Sequence, residues 1–259
     1  MQRLGKNLGR YNGETIAIEQ LQEDAHQSAL AAGWTSETFL DAPGKKLRGY
    51  HRPSPGSEFN LYFSTGIHGD EPSGPLAILQ LLREDQWPKA NLWLVPCLNP
   101  SGFRLNTREN DEGIDLNRDY RRFRSVEVRA HVQWLDRQPN FLSSIILHED
   151  WEANGFYIYE SNPENRPTLA APIIETLRPE FPIEHAEKVD NWPHKDGIIR
   201  PGINPADRPE WAESIYLLVN KTRQTYTFEA PSDFPLEFRV KGHLRAMRSS
   251  FELLTEVCQ

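Results

Sequence analysis

The stretch Phe59-Asn-Leu-Tyr-Phe-Ser-Thr65 runs without a break into Gly66-Ile-His-Gly-Asp-Glu71. Its aromatic first half predicts a strand, and the glycines after it predict a turn. A helix is expected from near Ser73, with Pro75 tolerated in its first turn and Leu76, Ile78, Leu79, Leu81 and Leu82 on its buried side. Next comes a second strand, Asn91-Leu-Trp-Leu-Val-Pro-Cys97. Strand, helix, strand is the rhythm of a sheet with helices on its faces.

The reading extends outward in both directions. Upstream, Ile18, Leu21, Ala25 and Ala29 line one face of a helix over Glu14–Ala32, ended by Gly33, and short strands are expected around Ser36–Leu40 and Lys46–His51. Downstream, Asn99 to Tyr120 reads as a polar loop, Ser125–Arg137 as a helix, and Phe141–His148 as an apolar strand ending in His148-Glu149-Asp150. From Asn191 to Trp211 the prolines 193, 201, 205 and 209 predict an extended surface loop. Thr225-Tyr-Thr-Phe-Glu-Ala230 alternates as a strand, and Val240, Leu244, Met247, Phe251 and Leu254 form the stripe of a last helix.

Composition bounds the function. With 29 Lys+Arg against 37 Asp+Glu the net charge is −8, which excludes a general binder of nucleic-acid backbones. Cys97 and Cys258 stand far apart, in no disulfide framework or thiolate metal spacing. No apolar run reaches the roughly 18 residues of a membrane span, and Met1–Arg10 is not followed by the apolar stretch of a secretory signal. A cytoplasmic protein with no membrane or nucleic-acid partner is expected. The 259 residues allow one domain or two.

His68 and Glu71 are separated by two residues in the turn that leaves a strand, a spacing that aims an imidazole and a carboxylate at one point. Those donors suit Zn²⁺, which needs one more protein ligand in a catalytic site; His148, at the end of another strand, can supply it. Open α/β sheets form their ligand crevices at strand ends of this kind. The loop after Asn99 gathers Arg104, Arg108 and Arg118 beside Asn117. Guanidinium forks hold a carboxylate with two parallel donors, and one placed near a metal stabilises an oxyanion. His131 lies within a helix and His243 borders the last apolar stripe, where packing is the ordinary role.

Four pieces in order, His68-Gly-Asp-Glu71, Asn99-Pro-Ser-Gly with Arg108 and Gly113-Ile-Asp-Leu-Asn-Arg118, His148 after an apolar strand, and Tyr226-Thr-Phe-Glu229, resemble the zinc carboxypeptidase superfamily in its compact bacterial form. They span about residues 59 to 230. The resemblance implies a three-layer α/β/α fold, with a mixed, mostly parallel central sheet of about eight strands, in a single catalytic domain over residues 1–259. It implies one Zn²⁺ per chain held by His68, Glu71 and His148, with Glu229 as the general base that activates water there. Arg108 polarises the scissile carbonyl, with Arg104 as its competitor. Asn117 and Arg118 bind the terminal carboxylate, and Asp115 braces the far nitrogen of His68.

Family members often carry a tyrosine in the loop before the last catalytic strand. None occurs here between Ser161 and Ser214, which leaves Tyr216 as the candidate. Arg200, with Lys195 and Arg208, marks the expected loop as a wall favouring an acidic or doubly charged substrate end. The implied activity is a zinc metallocarboxypeptidase or peptide amidase acting on a small peptide with a free carboxylate, with murein peptides a candidate substrate. Two alternatives are an N-acyl amino acid deacylase of the succinylglutamate desuccinylase and aspartoacylase kind, and an inert zinc protein that binds peptide C-termini. Oligomeric state is left open.

Overall fold

The computed structural model describes residues 3–6, 13–202, 204 and 207–257. Cys258, Pro205 and most of the amino-terminal stretch lie outside them. The strands are β1 (Thr35–Ala42), β2 (Lys45–Arg52), β3 (Asn60–Thr65), β4 (Asn91–Val95), β5 (Ser143–Asp150), β6 (Tyr157–Ser161), β7 (Lys188–Val189), β8 (Trp192–Lys195), β9 (Ile198–Ile199) and β10 (Thr225–Pro231). The helices are α1 (Ile18–Ala31), α2 (Ser73–Glu84), α3 (Pro100–Leu105), α4 (Val126–Asp136), α5 (Ala170–Leu177), α6 (Glu213–Asn220) and α7 (Leu236–Val257).

The strands form one sheet in the order β1-β2-β4-β3-β5-β10-β6-β9-β8-β7. Among the described residues it has ten strands rather than the expected eight or so, and the short β7, β8 and β9 account for the larger number. Parallel pairing runs through the centre, β4-β3-β5-β10, and recurs between β6 and β9; the remaining neighbours are antiparallel.

Side-chain alternation sorts the strands between two cores. Leu61 and Phe63 of β3, Leu92 and Leu94 of β4, Ile145 and Leu147 of β5, and Tyr226 and Phe228 of β10 point to the layer of α1, α2, α5 and α7. Tyr62, Trp93, Val95 and Ile146 point the other way, towards α4 and α6. The same alternation sends His148, two residues after Ile146, and Glu229, next to Phe228, to the second face.

Two expected loops carry structure. Within Asn99–Tyr120, the Asn99 side chain accepts the Gly102 N–H at 2.9 Å and Pro100 opens α3, while Asp115 caps a short 3-10 turn over Leu116–Arg118. These are polar residues acting as helix caps, so low hydrophobicity did not mean absence of helix. Within Asn191–Trp211, β8 and β9 pair as a hairpin that adds to β6. The elements β6, α5 and α6 are further additions to the sequence reading.

On the antiparallel side, the loop before β6 is fastened by Glu184. Its carboxylate accepts backbone N–H groups of Asn154, His185 and Ala186 at 2.5, 2.7 and 2.8 Å. Burial pushes this carboxyl up, but the three donors outweigh it and hold the pKa below the ordinary carboxylate range. A depressed folded-state pKa contributes stability above the unfolded value of about 4.3, and that stability is lost as pH falls through the folded value. Glu184→Gln is therefore expected to lower the melting temperature at neutral pH and to flatten its decline in acid. Parallel melts of both proteins from pH 7 to 3 check this; curves separated by a constant offset refute it.

Candidate metal centre

The centre is built where β3, β5 and β10 end together. Gly66, at φ +68°, turns the chain out of β3, and its carbonyl accepts the N–H groups of Leu98 and Asn99 at 3.1 and 2.8 Å. Gly69 follows against α3, where a Cβ would stand 1.9 Å from the Gly102 carbonyl carbon. Only hydrogen fits there, so the turn between His68 and Glu71 is pressed onto the first turn of α3. In the register of β5 and β10, Glu229 stands directly opposite His148.

His68, Glu71 and His148 are all buried, and one donor atom from each lies within 4.8 Å of the others. The Glu71 carboxylate faces His68 Nδ1 at 2.5 Å through Oε1 and His148 Nδ1 at 2.9 Å through Oε2. Oε2 also accepts the backbone N–H of Glu149 at 3.0 Å. Burial pushes Glu71 up, yet the two imidazoles outweigh it and hold the carboxyl well below its usual range. Burial pushes His68 down, and the Glu71 charge overrides it to raise the imidazole.

Two imidazole nitrogens and a carboxylate are a zinc donor set that leaves a coordination position open. The far nitrogen of His68 lies 3.4 Å from Asp115 Oδ1, the arrangement in which an outer carboxylate orients a metal-binding imidazole. The residues therefore fit a zinc ion.

Glu229 is buried beside this group. Burial pushes its carboxyl above the usual range, reinforced by Glu71, Asp150 and Asp190 and opposed by His148. Arg108 donates through Nε to Asp115 Oδ2 at 2.9 Å and brings Nη1 within 3.3 Å of His68 Nδ1 and 3.8 Å of Glu71. Its loop is anchored from β2 by Lys45, which pairs with Asp111, Glu112 and Glu127 at 2.8, 2.6 and 3.1 Å. Arg104 lies elsewhere, on Glu19 at 3.1 Å.

These groups open into a cavity of about 610 Å³ that Asn117, Arg118 and Arg208 also line. The Asn117 Oδ1 accepts the Glu213 N–H at 3.0 Å, which leaves its amide N–H groups as the end able to meet an anion. Arg118 is exposed at the rim.

Two expected residues are not in this cavity. Tyr216, on α6, packs against Tyr120 in the core and donates its hydroxyl to Asp136 at 2.9 Å. It follows Ile215, which lines the cavity, and the helical rotation turns it away. Arg200 pairs with Glu160 at 2.7 Å and lines a neighbouring cavity. Of the three basic residues in the Asn191–Trp211 segment, only Arg208 lines the cavity, with its guanidinium over Trp192 at 4.8 Å from the ring centroid.

The sequence reading passed over one cavity wall. Tyr157 and Tyr159 of β6 face the cavity and donate to Asp150 and Asp190 at 2.9 and 2.8 Å. The run Phe156-Tyr-Ile-Tyr-Glu160, aromatic and alternating, was the signal that could have found them. Beneath the cavity, Tyr120, His131, Tyr62 and Glu213 form a buried hydrogen-bonded chain at 2.6, 2.9 and 2.9 Å, joined by Ser64 at 2.8 Å. Burial drives His131 down to about 3, so it is a neutral member of that chain.

Residues 58–131 match the succinylglutamate desuccinylase/aspartoacylase catalytic domain. Carboxypeptidase SOL1 of Arabidopsis thaliana is 30% identical over 134 residues, 43% of this chain and 27% of that protein. Murein peptide amidase A of Escherichia coli K12 is 31% identical over 91 residues, 35% of this chain and 37% of that protein. The chain thus aligns with about a quarter to a third of the length of these curated relatives.

Among solved structures, a Shewanella baltica protein assigned as a metallopeptidase is 25% identical with TM-score 0.77, over 94% of this chain and 93% of that one. A metallo-carboxypeptidase from Pseudomonas aeruginosa in complex with (2-guanidinoethylmercapto)succinic acid shares the fold with TM-score 0.69 at 21% identity, over 94% of this chain and 70% of that one. Among the described residues no helix is long and apolar enough to cross a membrane. Over residues 58–131, which carry His68, Glu71 and Arg108, the chain is thus similar to the desuccinylase/aspartoacylase catalytic domain, and it shares its fold with solved metallo-carboxypeptidases.

Proposed function

We propose that this chain is a zinc-dependent carboxypeptidase or peptide amidase that hydrolyses the amide bond before a residue bearing a free carboxylate, with murein peptides among its substrates. The observation that carries the reading is the meeting of His68, Glu71 and His148 donor atoms within 4.8 Å, with Glu229 opposite His148 on the adjoining strand. Zinc bound by those three residues supplies a Lewis acid that lowers the pKa of water and polarises a carbonyl.

The protein groups divide the remaining work. Glu229, buried and facing the cleft, takes the proton from the attacking water and returns it to the leaving amine. Arg108, held by Asp115 with Nη1 beside the metal ligands, donates to the carbonyl oxygen as negative charge develops there. Asn117 through its amide N–H groups and Arg118 through its guanidinium hold the terminal carboxylate, which fixes the scissile bond over Glu229.

A second reading is favoured by the desuccinylase/aspartoacylase match over residues 58–131: hydrolysis of an N-acyl amino acid at the same centre. The two readings differ in what lies on the acyl side of the bond. Product analysis by mass spectrometry on a mixture of ordinary peptides, murein peptides and N-acyl amino acids separates them. Release of a C-terminal residue from peptides supports the first, cleavage of only the acylated amino acids supports the second, and intact substrates throughout refute both.

Glu229→Gln is expected to reduce turnover by about 10²–10⁴-fold, the range for a general acid–base group, while zinc content measured by mass spectrometry stays at the wild-type level. Undiminished turnover removes Glu229 from the reaction. Arg108→Met is expected to cost about 10²–10³-fold in kcat, as loss of an oxyanion donor does. Arg104→Met, on the far side of its loop, is expected to leave kcat unchanged; the reverse ranking would transfer the role to Arg104.

A further inference from the structure

The last helix contributes no residue to the cavity, yet it carries the largest of the fully buried side chains, Arg239. Its Nε donates to the Phe234 carbonyl at 2.9 Å, Nη1 is paired with Glu149, and Nη2 is paired with Glu14. The Glu149 side chain is as fully enclosed as Arg239. A planar guanidinium spreads its donors towards all three acceptors from separate nitrogens, a geometry that the single nitrogen of an ammonium does not reproduce.

Glu149 is the link from this ion pair to the metal centre. Its Oε1 accepts the N–H of Ser73, the first residue of α2, at 2.6 Å, and α2 begins two residues after Glu71. Its backbone N–H donates to Glu71 Oε2 at 3.0 Å. Glu149 therefore holds Glu71 in two ways, through the helix that follows it and through the carboxylate itself. A carboxylate as fully enclosed as that of Glu149 needs a cation to offset its charge, and Arg239 is that cation.

Resting on the zinc reading of His68, Glu71 and His148, we propose that Arg239 is a positioning residue for the metal centre. Through Glu149 it keeps the Glu71 carboxylate turned towards both imidazoles. Outer groups that orient metal ligands contribute about 10–100-fold to metal affinity.

The test measures zinc affinity of the full chain by competition with a chromophoric chelator, together with the absorption spectrum of the Co²⁺ form and the melting temperature. Arg239→Met alone would strand the Glu149 charge and threaten folding, so the informative variants are Arg239→Lys and the double substitution Arg239→Met with Glu149→Gln. Both are expected to bind zinc about 10–100-fold more weakly than wild type and to shift the Co²⁺ spectrum. Glu14→Gln, which leaves the pair with Glu149 in place, is expected to lower the melting temperature without either change.

Folded variants with wild-type zinc affinity and an unshifted Co²⁺ spectrum overturn the positioning role and leave the metal centre intact. If the wild-type chain binds zinc no better than a His68→Ala variant, the metal centre itself is refuted and this inference falls with it.

Discussion

A carboxylate shut away from water must be met by protein donors or by a cation, and Glu71 is the point at which this requirement organises the structure. Its oxygens are met by the imidazoles of His68 and His148 and by the Glu149 N–H, so the turn that carries Glu71 and the distant end of β5 are held to one group. The turn after β3, the end of β5 and the start of α2 have to arrive together or leave a buried charge unanswered. That convergence depends on the parallel register of β3 and β5, in which Thr65 lies beside Leu147 and the next residue of β5 is His148. The sheet thereby sets the distance between Glu71 and His148, which lie 77 residues apart in sequence.

Much of this was legible because strand and turn chemistry is local. The aromatic run Phe59–Thr65, the glycines of the following turn and the apolar side of α2 each announce themselves within a few residues, and β3 and α2 fall where those patterns place them. His68 and Glu71 could be paired from spacing alone, since one turn of chain separates them. Joining His148 and Glu229 to them required the order of motifs, because nothing local says which strand ends become neighbours.

What was not legible follows from the same logic. The short β8 and β9 are strands only because β6 offers them an edge, and their prolines and charges read as loop in isolation. Tyr216 was selected for its chemistry, but one helical step separates the cavity from the core, and the sequence does not say where α6 begins. His131 was read as a packing histidine, and it is buried, but its two ring nitrogens tie Tyr120 to Tyr62. That chain leads to Glu213, whose N–H holds Asn117, so a polar core under the cavity orients a residue at its surface. Arg104 and Arg108 are separated by the partners the fold offers them, Glu19 for Arg104 and Asp115 for Arg108.

The placement of β10 has a bearing on how the site can change over time. It is paired in parallel with β5 on one side and antiparallel with β6 on the other, so its register is fixed twice. A slip by one residue would send the Phe228 ring into the cleft and the Glu229 carboxylate into an apolar core. Both errors are costly to folding before any substrate is met. Point substitutions along this strand leave its register in place, whereas an insertion or deletion within it exchanges the two faces. The β6–β9 side and the loop bearing Arg208 are different in kind, since chain can be added there without moving the residues that meet at Glu71.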